Sequence, residues 1–194
     1  PLPTIPADET LDVQSASDKE VIHALESAII DWTRQIKNVV KSDPEAALKA
    51  GLNPGPLVEL DFWEAKAANL YSVYEQLLDE KIRKVIQILE KSKSSYHAAF
   101  NRMFKELLDG LEEAKDNNRY LKTLRPILED VTAASLEDLT RLFQPTLHLI
   151  SLIWTHSKYY NTPSRLVVLF REICNALIEK ASEHIDSGRI FKLE

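Results

Sequence analysis

The chain has 194 residues, a net charge of −6 and only 4 glycines. An acidic balance lacks the basic stripe that neutralises nucleic-acid phosphates, and it weakens the case for an anionic membrane surface. Glycine is too scarce for a phosphate-cradling loop, no run of 18 apolar residues is available to span a bilayer, and the single cysteine, Cys174, has no internal disulfide partner.

Residues 1–16 carry Pro1, Pro3 and Pro6, which fix φ and remove donors, so this stretch reads as an extended linker. Its opening PLPTIPADE has neither the basic nor the apolar region of a signal peptide. With no initiator Met, the expectation is a segment of a longer intracellular chain.

Ser17-Asp18-Lys19-Glu20 has the pattern of a capping box, with Ser17 as the cap. Val21, Leu25, Ala28, Ile29, Trp32, Ile36, Val39 and Val40 follow at steps that put one apolar stripe on a helix stopping near Lys41. Pro44 to Ala50 is predicted as a short helix with Asp43 as cap and Gly51 just past its end. Asn53-Pro54-Gly55-Pro56 then breaks the chain. The predicted division is a linker over 1–16, a first helix with its short helix and Pro/Gly-rich connection over 17–56, and a helical bundle over 57–194.

Leu57 to Leu89 keeps the helical period through Phe62, Trp63, Leu70, Val73, Tyr74, Leu77, Leu78, Ile82, Val85, Ile86 and Leu89. Read as one rod it would be about 48 Å long. A second helix runs from about Ser94 to Asn117 with Tyr96, Phe100, Met103, Phe104, Leu107, Leu108 and Leu111 inward and Gly110 inside it. Asp116-Asn117-Asn118 reads as a turn or an interruption. Ser135 resembles an N-cap, Pro145 breaks or kinks the helix after it, and Trp154 lies near the end of that pattern. Thr162 as cap and Pro163 at the first helical position open the last helix, which Gly188 ends. Its predicted core face is Leu166, Val167, Leu169, Phe170, Ile173, Leu177, Ile178, Ala181 and Ile185. The fold class is therefore all-α, an elongated antiparallel helical bundle or bundles with short loops and no sheet. Helix content is expected at roughly 65% or more, against the usual 30–35%.

Chemistry is hard to place on this chain. There is no P-loop and no Gly-x-Ser-x-Gly elbow. His23, His97, His148, His156 and His184 form no His-x-x-x-His pair, and a lone cysteine builds no zinc site, so no catalytic, cofactor or metal residue is assigned. Glu112-Glu113 and Asp79-Glu80 read as solvated helix faces. The basic run from Lys81 to Lys93 is broken by Glu90 and reads as a mixed-charge surface. Cys174, among Phe170, Ile173 and Leu177, reads as a buried thiol. Trp32 and Trp63 read as core. Tyr159 and Tyr160, next to a turn, fit either the core or a partner surface, since large aromatics are favoured in both; they are the candidate partner residues.

Three strings carry a resemblance: Gly55-Pro-Leu-Val-Glu-Leu-Asp-Phe-Trp63 continuing to Leu70, Glu112 to Asn117 with Tyr120 to Pro126, and Ile153-Trp-Thr-His-Ser-Lys-Tyr-Tyr-Asn-Thr-Pro163 continuing to Asn175. In order, with Trp32 to Ile36 upstream, they resemble the N-terminal stem of axonemal dynein heavy chains, of the outer-arm β type. The resemblance implies a non-catalytic stem piece in the cytoskeleton of a cilium or flagellum. It implies association with other heavy chains and with intermediate and light chains, with no cofactor, nucleic acid or membrane. ATP hydrolysis and microtubule contact would belong to parts of the parent protein that this stretch does not match. An unrelated helical tether of the spectrin-like type is the alternative.

Overall fold

A computed structural model describes residues 18–41 and 55–184. Among these, 88% are helical and none is in a strand. The helices are α1 (Lys19–Val40), α2 (Pro56–Leu77), α3 (Glu80–Lys91), α4 (Ser95–Leu121), α5 (Arg125–Ala133), α6 (Leu136–His156) and α7 (Pro163–His184). No described helix is long and apolar enough to cross a membrane.

Local signals set most of the boundaries. Pro56 and Pro163 each occupy the first position of a helix, where a missing N–H costs nothing. The Ser135 side chain accepts from the Asp138 N–H, as its sequence predicts. The Thr162 hydroxyl donates back to the Tyr159 carbonyl instead of capping forward. At α1 the cap is Asp18, whose carboxylate accepts from the Glu20 N–H; Ser17 lies outside the described residues, as do Pro44 to Ala50, Gly188 and the linker.

Three expectations are corrected. The rod over 57–89 is two helices, because Asp79 turns its carboxylate onto the Lys81 N–H and starts α3 afresh while the apolar period runs on through the joint. Asp116-Asn117-Asn118 is no turn: α4 continues through it to Leu121, and Asn117 is buried. Pro145 does not end α6, which runs on to His156. Of the side chains on the predicted apolar stripes, Leu78, Tyr96, Leu108, Val167, Phe170 and Ile178 are exposed, as are Phe143, Leu147 and Trp154 on α6.

The chain forms two compact units that do not follow chain order. Among the described residues, one takes α1 with residues 66–112; the other takes residues 55–65 with 113–184, so the division falls inside α2 and α4. In the first unit α1 packs on α3. Leu25, Ile29, Trp32 and Ile36 meet a core that includes Val85, Ile88 and Leu89, all at most 2% exposed. The Ser94 hydroxyl donates to the Glu26 carboxylate at 2.6 Å and ties the α3–α4 turn to α1. In the second unit α5, α6 and α7 pack on one another.

A buried polar cluster and its family

The second unit encloses a polar cluster built from α2, α4 and the turn between α6 and α7. Glu59 and Trp63 lie one turn apart on the buried face of α2. Between them sits the Tyr160 hydroxyl, which accepts the Trp63 indole N–H at 2.8 Å and donates to the Glu59 carboxylate. Tyr160 is 0% and Trp63 0% exposed. Tyr159 packs edge-on to Trp63, ring centroids 4.8 Å apart, and the Arg165 guanidinium lies over its outer face at 3.3 Å.

A second strand of the cluster fixes the turn itself. The Ser157 hydroxyl donates to the Asn117 side-chain oxygen and accepts the Tyr160 N–H, both at 3.1 Å. The Asn161 N–H closes the turn onto the Ser157 carbonyl. Asn117 is a polar residue at a fully buried position of α4, and its side-chain oxygen is the acceptor that holds the Ser157 hydroxyl.

Two atoms remain unpaired, Glu59 Oε2 and Asn117 Nδ2. Burial raises the Glu59 carboxyl above its ordinary 4.5, the Tyr160 hydrogen bond opposes this, and Glu172 reinforces it. Burial first, then Glu59, drives Tyr160 far upward, so its hydroxyl keeps its proton and remains a donor. Glu172, also buried, meets the Arg171 guanidinium at 3.1 Å. Outside the cluster, Arg125 at the head of α5 reaches Asp61 at 2.7 Å and Glu64 at 3.2 Å on α2.

The two tyrosines read as candidate partner residues are thus inside this unit, at 7% and 0% exposure, and core packing is the role this fold gives them. Cys174 is half-buried. His148 and His156 are exposed, and no described group of His, Cys, Asp and Glu is arranged to hold a metal. The cluster's polar members Glu59, Asn117, Ser157 and Glu172 escaped the sequence reading. Two of them had a signal: Glu59 shares the stripe of Trp63, and Asn117 continues that of Leu111 and Ala114, so each is a polar group at an apolar position.

The cluster spends its hydrogen bonds within itself and joins segments far apart in the chain. This defines an all-α structural segment held by an internal clamp. The description "Dynein heavy chain, N-terminal region 1" matches residues 22–194, and the chain belongs to that family. It is 45% identical over its full length to "Dynein beta chain, flagellar outer arm" of Chlamydomonas reinhardtii. It is 44% identical over 97% of its length to "Dynein beta chain, ciliary" of Tripneustes gratilla, and 39% over 93% to "Dynein axonemal heavy chain 17" of Homo sapiens. The chain spans 4% of the length of each of these relatives. It corresponds to the N-terminal region of such heavy chains and not to their motor domain, in the axonemal cytoskeleton that the relatives' names record.

Proposed function

We propose that this segment is a non-catalytic piece of a dynein heavy-chain stem, and that it helps assemble the heavy chain with other heavy chains and with intermediate and light chains in ciliary or flagellar motility. The observation that carries the reading is the match to dynein heavy chains over residues 22–194, borne on helices clamped from within. Such a body suits a scaffold. Its side chains hold helices in register, and load passes along the helix axes. ATP hydrolysis and microtubule binding are assigned to other parts of the whole heavy chain.

The test is affinity capture from a ciliary axoneme extract, with the segment as bait and a bait of scrambled surface as control, read by mass spectrometry. Enrichment of dynein heavy, intermediate or light chains is the expected result. Enrichment of unrelated cytoskeletal proteins would favour a spectrin-like tether, and no enrichment over the control would show that the segment does not assemble by itself.

A further inference from the structure

Of the nine prolines in the sequence, Pro163 alone follows a residue with a side-chain hydroxyl. Thr162-Pro163-Ser164-Arg165 is thus the chain's one Thr-Pro-x-Arg string. This is the pattern that proline-directed protein kinases read, from the acceptor forward. In the cleft of such a kinase an N–H just after the acceptor has no partner, and proline carries none. A guanidinium two residues further on meets an anionic group of the enzyme.

The fold presents this string at the surface. Residues 161–164 are exposed and Arg165 is half-buried, whereas Tyr160, two residues before Thr162, is fully buried. The Thr162 hydroxyl donates to the Tyr159 carbonyl at 3.1 Å. Leu169 is the first buried side chain of α7, so the first turn of this helix opens at little cost. Opening it lays out Thr162 to Arg165 while Tyr160 stays clamped behind them.

The surroundings also suit a phosphate. Asp138 and Glu172 bound a stretch that has no Asp or Glu and that contains Arg141, Lys158, Arg165 and Arg171. From α4, Asp116 touches the turn at the Lys158 N–H, 3.4 Å away. A phosphothreonine carries close to two negative charges and accepts hydrogen bonds, so its bond to the Tyr159 carbonyl is lost. Arg165 lies one helical turn along α7, its guanidinium 3.3 Å over the Tyr159 ring. A charge-assisted pair with phosphate is stronger than the hold of an aromatic face.

We infer that Thr162 is a phosphate acceptor for a proline-directed protein kinase, and that its phosphate takes Arg165 from the face of Tyr159. In the transfer, Thr162 Oγ1 attacks the γ-phosphorus of ATP held by the kinase. The Oγ1–P bond forms and the bond from that phosphorus to the β,γ-bridging oxygen breaks. ADP leaves with the electron pair, and the hydroxyl proton passes to the kinase's catalytic carboxylate. Because Tyr159 packs on Trp63, the modification bears on the outer layer of the clamp. The inference stands apart from the assembly role proposed above, since it needs no partner subunit.

The experiment incubates assembled dynein containing the full heavy chain with a proline-directed kinase and ATP. Trypsin then releases residues 159–165, whose hydroxyl side chains are Tyr159, Tyr160, Thr162 and Ser164, and fragmentation in the mass spectrometer locates the phosphate. The expected result is phosphate on Thr162, with a several-fold lower yield in Pro163→Ala, which keeps the hydroxyl and suits a helix. A phosphatase should then strip Thr162 several-fold faster in Arg165→Ala than in the parent. No phosphate on Thr162, or an equal yield in Pro163→Ala, would overturn the site. Equal rates of removal would overturn the part given to Arg165.

Discussion

Tyr160 sits midway in a line of donors that runs from the Trp63 indole to the Glu59 carboxylate. Removing its hydroxyl takes away the acceptor 2.8 Å from the Trp63 indole N–H and the donor to the buried Glu59 carboxylate at once. Tyr160→Phe should therefore destabilise the segment by about 1–3 kcal/mol, read from the midpoint of urea unfolding with the slope unchanged. A loss within error of zero would mean that the line contributes nothing. Glu59 makes a second prediction with a definite sign. Its folded value lies above the ordinary 4.5, chiefly through burial. Such a group stabilises the fold fully below its unfolded value, and that contribution is lost as pH rises from 4.5 through the raised folded value. Glu59→Gln should flatten this part of the stability profile, so that the variant loses less stability than the parent between mildly acidic and neutral pH. Parallel profiles for the two proteins would show that Glu59 keeps its ordinary affinity for the proton.

Individual helices carry two small misfits that substitution can relieve. Lys93 has φ 55° in the turn after α3. Its N–H bonds the Glu90 carbonyl and the Ser94 N–H bonds the Leu89 carbonyl, a Schellman arrangement in which glycine is the favoured residue. Lys93→Gly should stabilise the segment by about 1 kcal/mol. The reverse logic applies to Gly110, in the interior of α4. A Cβ there would meet Leu70 Cδ1 at 3.7 Å, ordinary contact distance. Gly110→Ala should add about 1 kcal/mol through helix propensity, and a drop in thermal midpoint would show that the Leu70 contact is tighter than it looks. The same elements show what a sequence can and cannot disclose. Pro163 at a first position and Ser135 were legible because capping is local chemistry, whereas Pro56, read as part of the break, opens α2. The joint at Asp79 was not, because the apolar period on both sides of it is unbroken while the Asp79 backbone leaves the helix at ψ 138° and its carboxylate caps α3. Nor was the clamp, whose partners Trp63 and Tyr160 stand 97 residues apart. Sequence spacing carries no record of that contact, although a glutamate on the stripe of a tryptophan marks a place to look.

At the scale of the whole segment, the balance of apolar surface decides how it behaves outside its parent. The helical period put Val167, Phe170 and Ile178 on a core face, and the fold leaves all three exposed together with Phe143, Leu147 and Trp154 on α6. Periodicity reports which face of a helix is apolar, but not whether the covering element lies within the same 194 residues. Side chains of this size in a continuous uncharged stripe drive association when nothing covers them. The isolated segment should therefore self-associate: its sedimentation coefficient should rise with concentration in velocity runs. Phe143→Lys combined with Leu147→Glu should hold it at the monomer value, since both changes place charge on this stripe and neither touches the clamp around Tyr160. Unchanged self-association in the double variant would show that another surface joins the copies.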